Sequence, residues 1–374
     1  MKKKIIIFSF FSGSGFLDLG FEKTGFYVEF VNEYSKAFLN AYIHSRNKMR
    51  MHLPKYGYHN TDIKEYFNGR HDELYEYIND ANEQNNLIGF IGGPPCPDFS
   101  VGGKNKGRNG ENGKLSSVYV SLIEKMLPDF FLFENVKGLW RTARHREFYE
   151  ELKKRLHESG YCTTEKLINA IEFGVPQDRE RIFLFGVKKS LLKPSSFKSN
   201  TIVDFPWTIN ATYSLEQIKN TNWPTTDIFS ENSIRDKGNN TEVIEKLTMD
   251  YWFNKNDVDK HPNAEAYFKP RKGLAKMQVI LEGDVSKKSY KRLHRWRYSP
   301  TAAYGNNEVH LHPYKPRRIS VSEALAIQSL PKEFELPSNM SLSDMFKTIG
   351  NGVPYLLSKG IANAMKLYLR KIMD

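Results

Sequence analysis

Apolar runs of strand length alternate with amphipathic stretches through the first half of the chain. Residues 4–11 form the first run, a buried strand that ends in the turn Phe11-Ser12-Gly13-Ser14-Gly15-Phe16. Apolar positions at helical spacing follow over 17–23. Residues 27–31 predict a second strand with the acidic Glu33 at its end, then a helix through Ala37, Leu39 and Tyr42. Thr61-Asp62-Ile63 sits at a third strand end. The run Leu87-Ile88-Gly89-Phe90-Ile91 has the length and composition of a buried strand. It stops at Gly92-Gly93-Pro94-Pro95-Cys96-Pro97, where the prolines exclude both helix and ladder. Beyond lie a helix near 118–126, a strand over 130–133 ending at Glu134-Asn135, and a helix near 146–158. Strands near 161–171 and over 181–187 complete this half. Strands alternating with helices argue for an α/β fold with a mostly parallel, doubly wound, Rossmann-like sheet. Ligands of such sheets gather at the carboxyl ends of the strands. Ser12, Glu33, Asp62, Cys96 and Glu134 all fall at such ends.

The rhythm stops near residue 190. Residues 191–292 scatter Trp207, Trp223 and Trp252 among Asn and Thr, without a strand–helix alternation. They predict a second, smaller and irregular domain. From 291 to 312 the chain is dense in Arg, His and aromatic residues. A capped helix over 320–328 follows, and a last helix begins after Gly350-Asn351-Gly352-Val353-Pro354. The expected division is 1–190 plus 346–374 for one domain and 191–345 for the other.

Composition narrows the partner. Net charge is +12 and the sequence pI about 9.3, which suits a polyanion. Only Cys96 and Cys162 are present, which argues against a disulfide framework and for a reducing compartment. The basic start at Lys2-Lys3-Lys4 precedes an apolar run too short for a signal peptide, and no run reaches the length of a membrane span. A soluble protein of the cytoplasm is expected.

Local chemistry leaves several readings open. Cys96, on a stiff turn at a strand end, is either a nucleophile or a small buried apolar residue. The basic segment after it, with five glycines from Gly102 to Gly113 and with Lys104, Lys106 and Arg108, suits a loop facing a polyanion. Gly113-Lys114 is followed by Leu115 rather than Ser or Thr, so a phosphate-binding P-loop is rejected. The glycine turn at 11–16, followed by Glu33, suits a nucleoside cofactor whose ribose needs an acceptor, but lacks the full dinucleotide spacing. Glu134 ends a very apolar strand, where it is either a helix-capping or structural acid or, since burial raises a carboxyl pKa, a group that shares a proton with a ring nitrogen. Arg179 and Arg181 lie on one face of a strand start, suited to an anion or carbonyl, or to surface ion pairs. His310 and His312 have metal-like spacing without further ligands, and no metal is expected.

Together these stretches resemble the C5-cytosine DNA methyltransferase family, in the family's order. Phe11-Ser-Gly-Ser-Gly15 is similar to its cofactor glycine motif, and Asn32-Glu33-Tyr34 to the acidic motif after it. Asp62-Ile63 resembles the third cofactor contact and Gly93-Pro-Pro-Cys96 the nucleophile motif. Glu134-Asn135-Val136 resembles the ENV motif, Gln177-x-Arg179-x-Arg181 the QxRxR motif, and Arg318-x-Ser320 with Glu323 and Gln328 the ninth block. Gly350-Asn351-Gly352-Val353-Pro354 resembles the tenth. Two residues at the cofactor turn depart from the family pattern: Ser9 stands where many members have Asp, and Phe16 where a second glycine is usual.

The resemblance implies a sequence-specific DNA (cytosine-5) methyltransferase acting on a flipped-out cytosine in double-stranded DNA. Cys96, Glu134, Arg179 and Arg181 would be its catalytic residues. S-adenosylmethionine would be held by Phe11, Ser12, Gly13, Gly15, Glu33, Tyr34, Asp62, Ile63, Pro95, Asn351 and Gly352. Ser100, Lys104, Arg297 and Thr301 would contact DNA, with 191–345 as the target-recognition domain. It further implies a monomer in the bacterial cytoplasm, with room for a cognate restriction endonuclease acting independently. Methylation of RNA, a non-catalytic DNA-binding relative and a nicotinamide-dependent dehydrogenase are the competing readings.

Overall fold

The structure is a computed structural model that describes residues 3–83, 85–95, 111–233, 242–270, 273–287, 289–302, 304 and 308–373. Its strands are β1 (Ile5–Phe10), β2 (Tyr27–Asn32), β3 (Tyr58–His59), β4 (Leu87–Gly92), β5 (Phe130–Val136), β6 (Tyr161–Asn169), β7 (Glu180–Lys188), β8 (Phe197–Lys198) and β9 (Thr201–Ile202). They form one sheet in the order β3-β2-β1-β4-β5-β7-β6-β9-β8. The first helices are α1 (Phe16–Lys23), α2 (Lys36–Lys48), α3 (His71–Glu83), α4 (Glu111–Met126), α5 (Lys137–Arg141) and α6 (Ala143–Glu158). After the sheet come α7 (Leu215–Asn220), α8 (Met249–Lys255), α9 (Leu274–Gln278), α10 (Val321–Ile327), α11 (Leu342–Asn351) and α12 (Tyr355–Met373).

Both sheet faces are covered, as continuous apolar strands require. Ile5 and Ile7 of β1 join one core cluster with Phe130 and Leu132 of β5, while Ile6, Phe8 and Phe10 join the other with Phe131 and Phe133. Each buried Phe or Ile contributes about 1.5–3 kcal/mol by leaving water. The five strands from β3 to β5 run parallel. β7 runs antiparallel to both β5 and β6. The link between β6 and β7 is a short 3-10 turn at Ala170–Phe173 with an Asn169–Glu172 capping box, too short for a parallel crossover.

That reversal corrects one expectation. Glu134 does not end its strand. β7 pairs with β5 through Glu134↔Phe183, Asn135↔Ile182 and Val136↔Arg181, whereas pairing with β4 stops at Gly92↔Phe133. Glu134 is thus held in a ladder on one side and lies just past the end of β4 on the other.

The sheet also runs past residue 190. β9 pairs with β6 and β8 with β9, and the Phe205 ring lies 4.8 Å from that of Phe185 in the sheet's core. Residues 197–207 therefore pack with the sheet rather than beginning a separate body. A third cluster holds Met249, Trp252, Leu293, Ile319, Val321 and Phe346 together with Phe16 and Leu19 of α1. α11 crosses the expected boundary at 346, with Ser341 capping it by accepting from Asp344 N. Among the described residues no helix is long and apolar enough to cross a membrane.

Candidate active site at the carboxyl edge of the sheet

The turn after β1 is built from left-handed residues. Phe11, Gly13 and Gly15 have φ of 53°, 56° and 79°. For Phe11 that conformation is uncommon and costs on the order of 1 kcal/mol, so the surroundings must impose it. They do so through the next strand. Ser12 donates from its backbone N and its Oγ to Asn32 O, at 3.2 and 2.8 Å. The buried Glu33 carboxylate accepts from Gly13 N at 2.8 Å and from Ser35 N at 2.7 Å. Burial raises the Glu33 pKa, and those two N–H groups oppose the rise.

Asn32, which the sequence did not mark as a site residue, donates from its side chain to Thr61 O at 3.0 Å and so ties β2 to the third strand end. Asp62 there caps the 3-10 turn Ile63–Phe67 by accepting from Lys64 N at 3.0 Å, with Ile63 buried beneath. Tyr34 is 74% exposed. Pro95 is half-buried, whereas Cys96, Ser100 and Lys104 lie outside the described residues.

Glu134 is buried and pairs with Arg181, Nε to Oε1 at 3.1 Å. The antiparallel register makes this contact, because the start of β7 lies beside the end of β5. A Cβ on Gly93 would stand 2.7 Å from Glu134 Oε2, so any larger residue there would push this carboxyl aside. Burial raises the Glu134 pKa, with Arg181 and then Arg179 lowering it.

Arg179 is fully buried and donates to Ala302 O, Gly350 O and Gly352 O at 2.9, 2.8 and 3.1 Å. It thereby joins the 299–302 segment and the end of α11 to the sheet. Gln177 works beside it, accepting from Ala302 N at 2.9 Å and donating to Gln328 Oε1 at 3.3 Å. The two glutamines lie in the motifs already quoted, but nothing in their spacing showed that they face each other. Ser14 Oγ and Thr348 Oγ1 of α11 are 2.8 Å apart, so the tenth block closes onto the glycine turn. Asn351 is exposed and Gly352 half-buried.

The remaining expected contacts are partly engaged within the chain. Thr301 donates its hydroxyl to Asp178 O at 2.6 Å, and Arg297 reaches Pro224 O at 3.4 Å. His310 and His312 are buried, and burial pushes His310 down to about 3, so it is neutral at physiological pH. Among the described residues no group of three or more His, Cys, Asp or Glu side chains could hold a metal ion.

Comparison with known proteins places nearly the whole chain in a family. The family model described as C-5 cytosine-specific DNA methylase matches residues 5–367. The chain is 58% identical over 369 residues to the Type II methyltransferase M.NmeDI of Neisseria meningitidis serogroup C, covering 98% of this chain and 85% of that one. It is 30% identical over 367 residues to the Type II methyltransferase M.FnuDI of Fusobacterium nucleatum, covering 96% and 94%. A crystal structure of a DNA modification methyltransferase encoded within an E. coli prophage shares the fold, with a TM-score of 0.62 at 23% identity over 98% of this chain and 100% of that one. The ordered motifs, the Glu134–Arg181 pair at the sheet's carboxyl edge and the match over nearly the whole chain lead to one conclusion: the chain belongs to the C-5 cytosine-specific DNA methylase family.

Proposed function

We propose that the chain methylates C5 of a cytosine flipped out of double-stranded DNA, with Cys96 as nucleophile and Glu134 as the group that holds the base. The observation that carries this reading is the buried Glu134, paired with Arg181 and lying against Gly93 of the nucleophile motif. C5 of cytosine is a poor nucleophile until something adds to C6. Cys96, as thiolate, adds there while Glu134 shares its proton with N3, and electron density moves to C5. After methyl transfer a base removes the C5 proton and the thiolate leaves. Arg181 braces the carboxyl and the base's O2.

The glycine turn fits S-adenosylmethionine. An added Cβ at Gly13 would meet only Thr348 Oγ1, in ordinary contact at 3.9 Å, so no protein atom crowds the turn there. Each Glu33 oxygen accepts one backbone N–H and keeps a further lone pair for a ribose hydroxyl. When bound, this cofactor supplies an electrophilic methyl group. Phe11, Ser12, Gly13 and Gly15 shape its cradle. Tyr34 offers an exposed ring for stacking, Asp62 and Ile63 line the base side, and Pro95, Asn351 and Gly352 close the methionine side.

Residues from about 208 up to α11 are assigned to target recognition, with Arg297 and Thr301 as DNA contacts and with Ser100 and Lys104 of the basic segment beside them. The relatives' Type II designation supports a place in restriction–modification beside an independent cognate endonuclease. A monomer in the bacterial cytoplasm fits an enzyme of this kind.

DNA carrying 5-fluorocytosine at the target tests the covalent step, because fluorine cannot leave C5 as a proton does. A complex surviving denaturation is expected with the intact enzyme plus cofactor, and none with Cys96→Ser. A trapped complex that persists in Cys96→Ser would remove Cys96 from the chemistry.

A further inference from the structure

Arg46 lies in the last turn of α2, far in sequence from any motif, yet it is wholly buried. Its Nε reaches both oxygens of Glu22, at 3.2 and 2.8 Å. Its guanidinium carbon stands 4.2 Å from the centre of the Tyr42 ring. Of the two remaining nitrogens, Nη1 donates to Ser45 Oγ at 3.4 Å, and Nη2 donates to Gly15 O at 2.6 Å while lying 2.8 Å from Glu22 Oε2. Gly15 closes the cofactor turn. Its N–H donates to Ser12 O at 2.8 Å, and its carbonyl accepts the first bond of α1 from Leu19 N at 3.0 Å. An added Cβ at Gly15 would lie 2.5 Å from the Tyr42 ring and 2.7 Å from Arg46, so the turn sits directly on this side chain.

Beneath the turn, Asp18 of α1 is also fully buried and accepts from Ser9 Oγ at 2.9 Å. Burial, opposed in part by Arg46, leaves its carboxyl raised to about 7. Ser9 and Asp18 therefore form a polar base beside the Arg46–Glu22 pair.

Burying an ion pair is poor evidence for stability, since apolar residues of similar volume often serve as well or better. What an apolar residue cannot do is fix a carbonyl. Three left-handed residues within five positions give the turn other ways to fold, and among the described residues two side-chain ties act on its glycines. Glu33 holds Gly13 N, and Arg46 holds Gly15 O.

We propose that Arg46, set by Glu22 and the Tyr42 ring, is a positioning residue for S-adenosylmethionine: it fixes the Gly15 carbonyl and so the shape of the cofactor turn. It touches neither cofactor nor DNA. The inference rests on the reading of the 11–16 turn as the cofactor cradle.

The test is calorimetric binding of S-adenosylhomocysteine to the full chain without DNA, alongside Tm and the KM for DNA. Wild type, Arg46→Lys, Arg46→Gln and Glu22→Gln are compared. Losing a hydrogen bond from a charged donor corresponds to about a tenfold weaker Kd for Arg46→Gln. Arg46→Lys, which keeps one donor without the fork, falls between, and Glu22→Gln weakens binding less. The KM for DNA stays within about twofold, since no DNA-facing group changes. If Arg46→Gln does not fold, Arg46→Lys and Glu22→Gln carry the comparison. Folded variants with a lowered Tm and an unchanged Kd would overturn the proposal. Failure of wild type to bind S-adenosylhomocysteine would instead overturn the reading of the turn.

Discussion

Glu134→Gln is expected to lower kcat for methyl transfer by about a hundredfold to ten-thousandfold, the range for loss of a placed acid. The amide can still donate a hydrogen bond to N3 but has no proton to share. The effect should fall on kcat more than on the KM for DNA, because the carboxyl acts on a base already flipped. Glu134 also predicts a pH dependence. Burial raises its pKa above the ordinary carboxyl value, so the protonated form persists to higher pH than in an exposed carboxyl. The rate should fall as pH rises through that raised value, and the Gln variant, which cannot titrate, should lose this limb. The same shift acts on stability. The neutral carboxyl's contribution is complete below the unfolded value near 4.5 and is lost as pH climbs through the folded one. A Gln variant with wild-type kcat and the same alkaline limb would remove Glu134 from proton sharing.

Arg179→Met is expected to be the most damaging substitution away from the reacting atoms. Arg179 satisfies Ala302 O, Gly350 O and Gly352 O at once, deep in the protein. Each hydrogen bond from a charged donor contributes about 1.5–3 kcal/mol, and a buried carbonyl left without a partner carries its own penalty. Three such bonds come to about 4.5–9 kcal/mol, and relief of the guanidinium's desolvation offsets part of it, so a net loss on the order of 4 kcal/mol is expected, a large share of ordinary domain stability. The carbonyls lie on the segment bearing Thr301 and on the end of α11, so surviving protein should bind both S-adenosylhomocysteine and DNA more weakly. Denaturant unfolding and calorimetry measure the two effects. Loss of less than about 1 kcal/mol would show that Arg179 is not the clamp its geometry describes.

What the sequence revealed follows from one regularity. In a parallel strand–helix sheet the carboxyl ends face one side, so Ser12, Glu33 and Asp62 could be placed together from strand ends alone. Glu134 was legible as a buried acid, but not its contact with Arg181. That contact needs β7 to run backwards, and strand direction depends on the length of a link that looked like more strand. The two-residue strands β8 and β9 were too short to show alternation, so the sheet was expected to stop at 190. α11, capped by Ser341, was not read from the sequence and lies across the assumed domain boundary at 346. Arg46 was illegible for a different reason. An arginine near a helix end reads as a solvated charge near the helix dipole, and only the packing of α2 against α1 buries it beside Gly15.

Bisulfite sequencing of genomic DNA from a methylation-free host expressing this chain, beside a Cys96→Ser control, tests the central claim most directly. Cytosines within one short motif should be protected by the intact protein and unprotected in the control. No protected cytosine from folded protein, or protection that persists in the control, would contradict a DNA cytosine-5 methyltransferase working through Cys96.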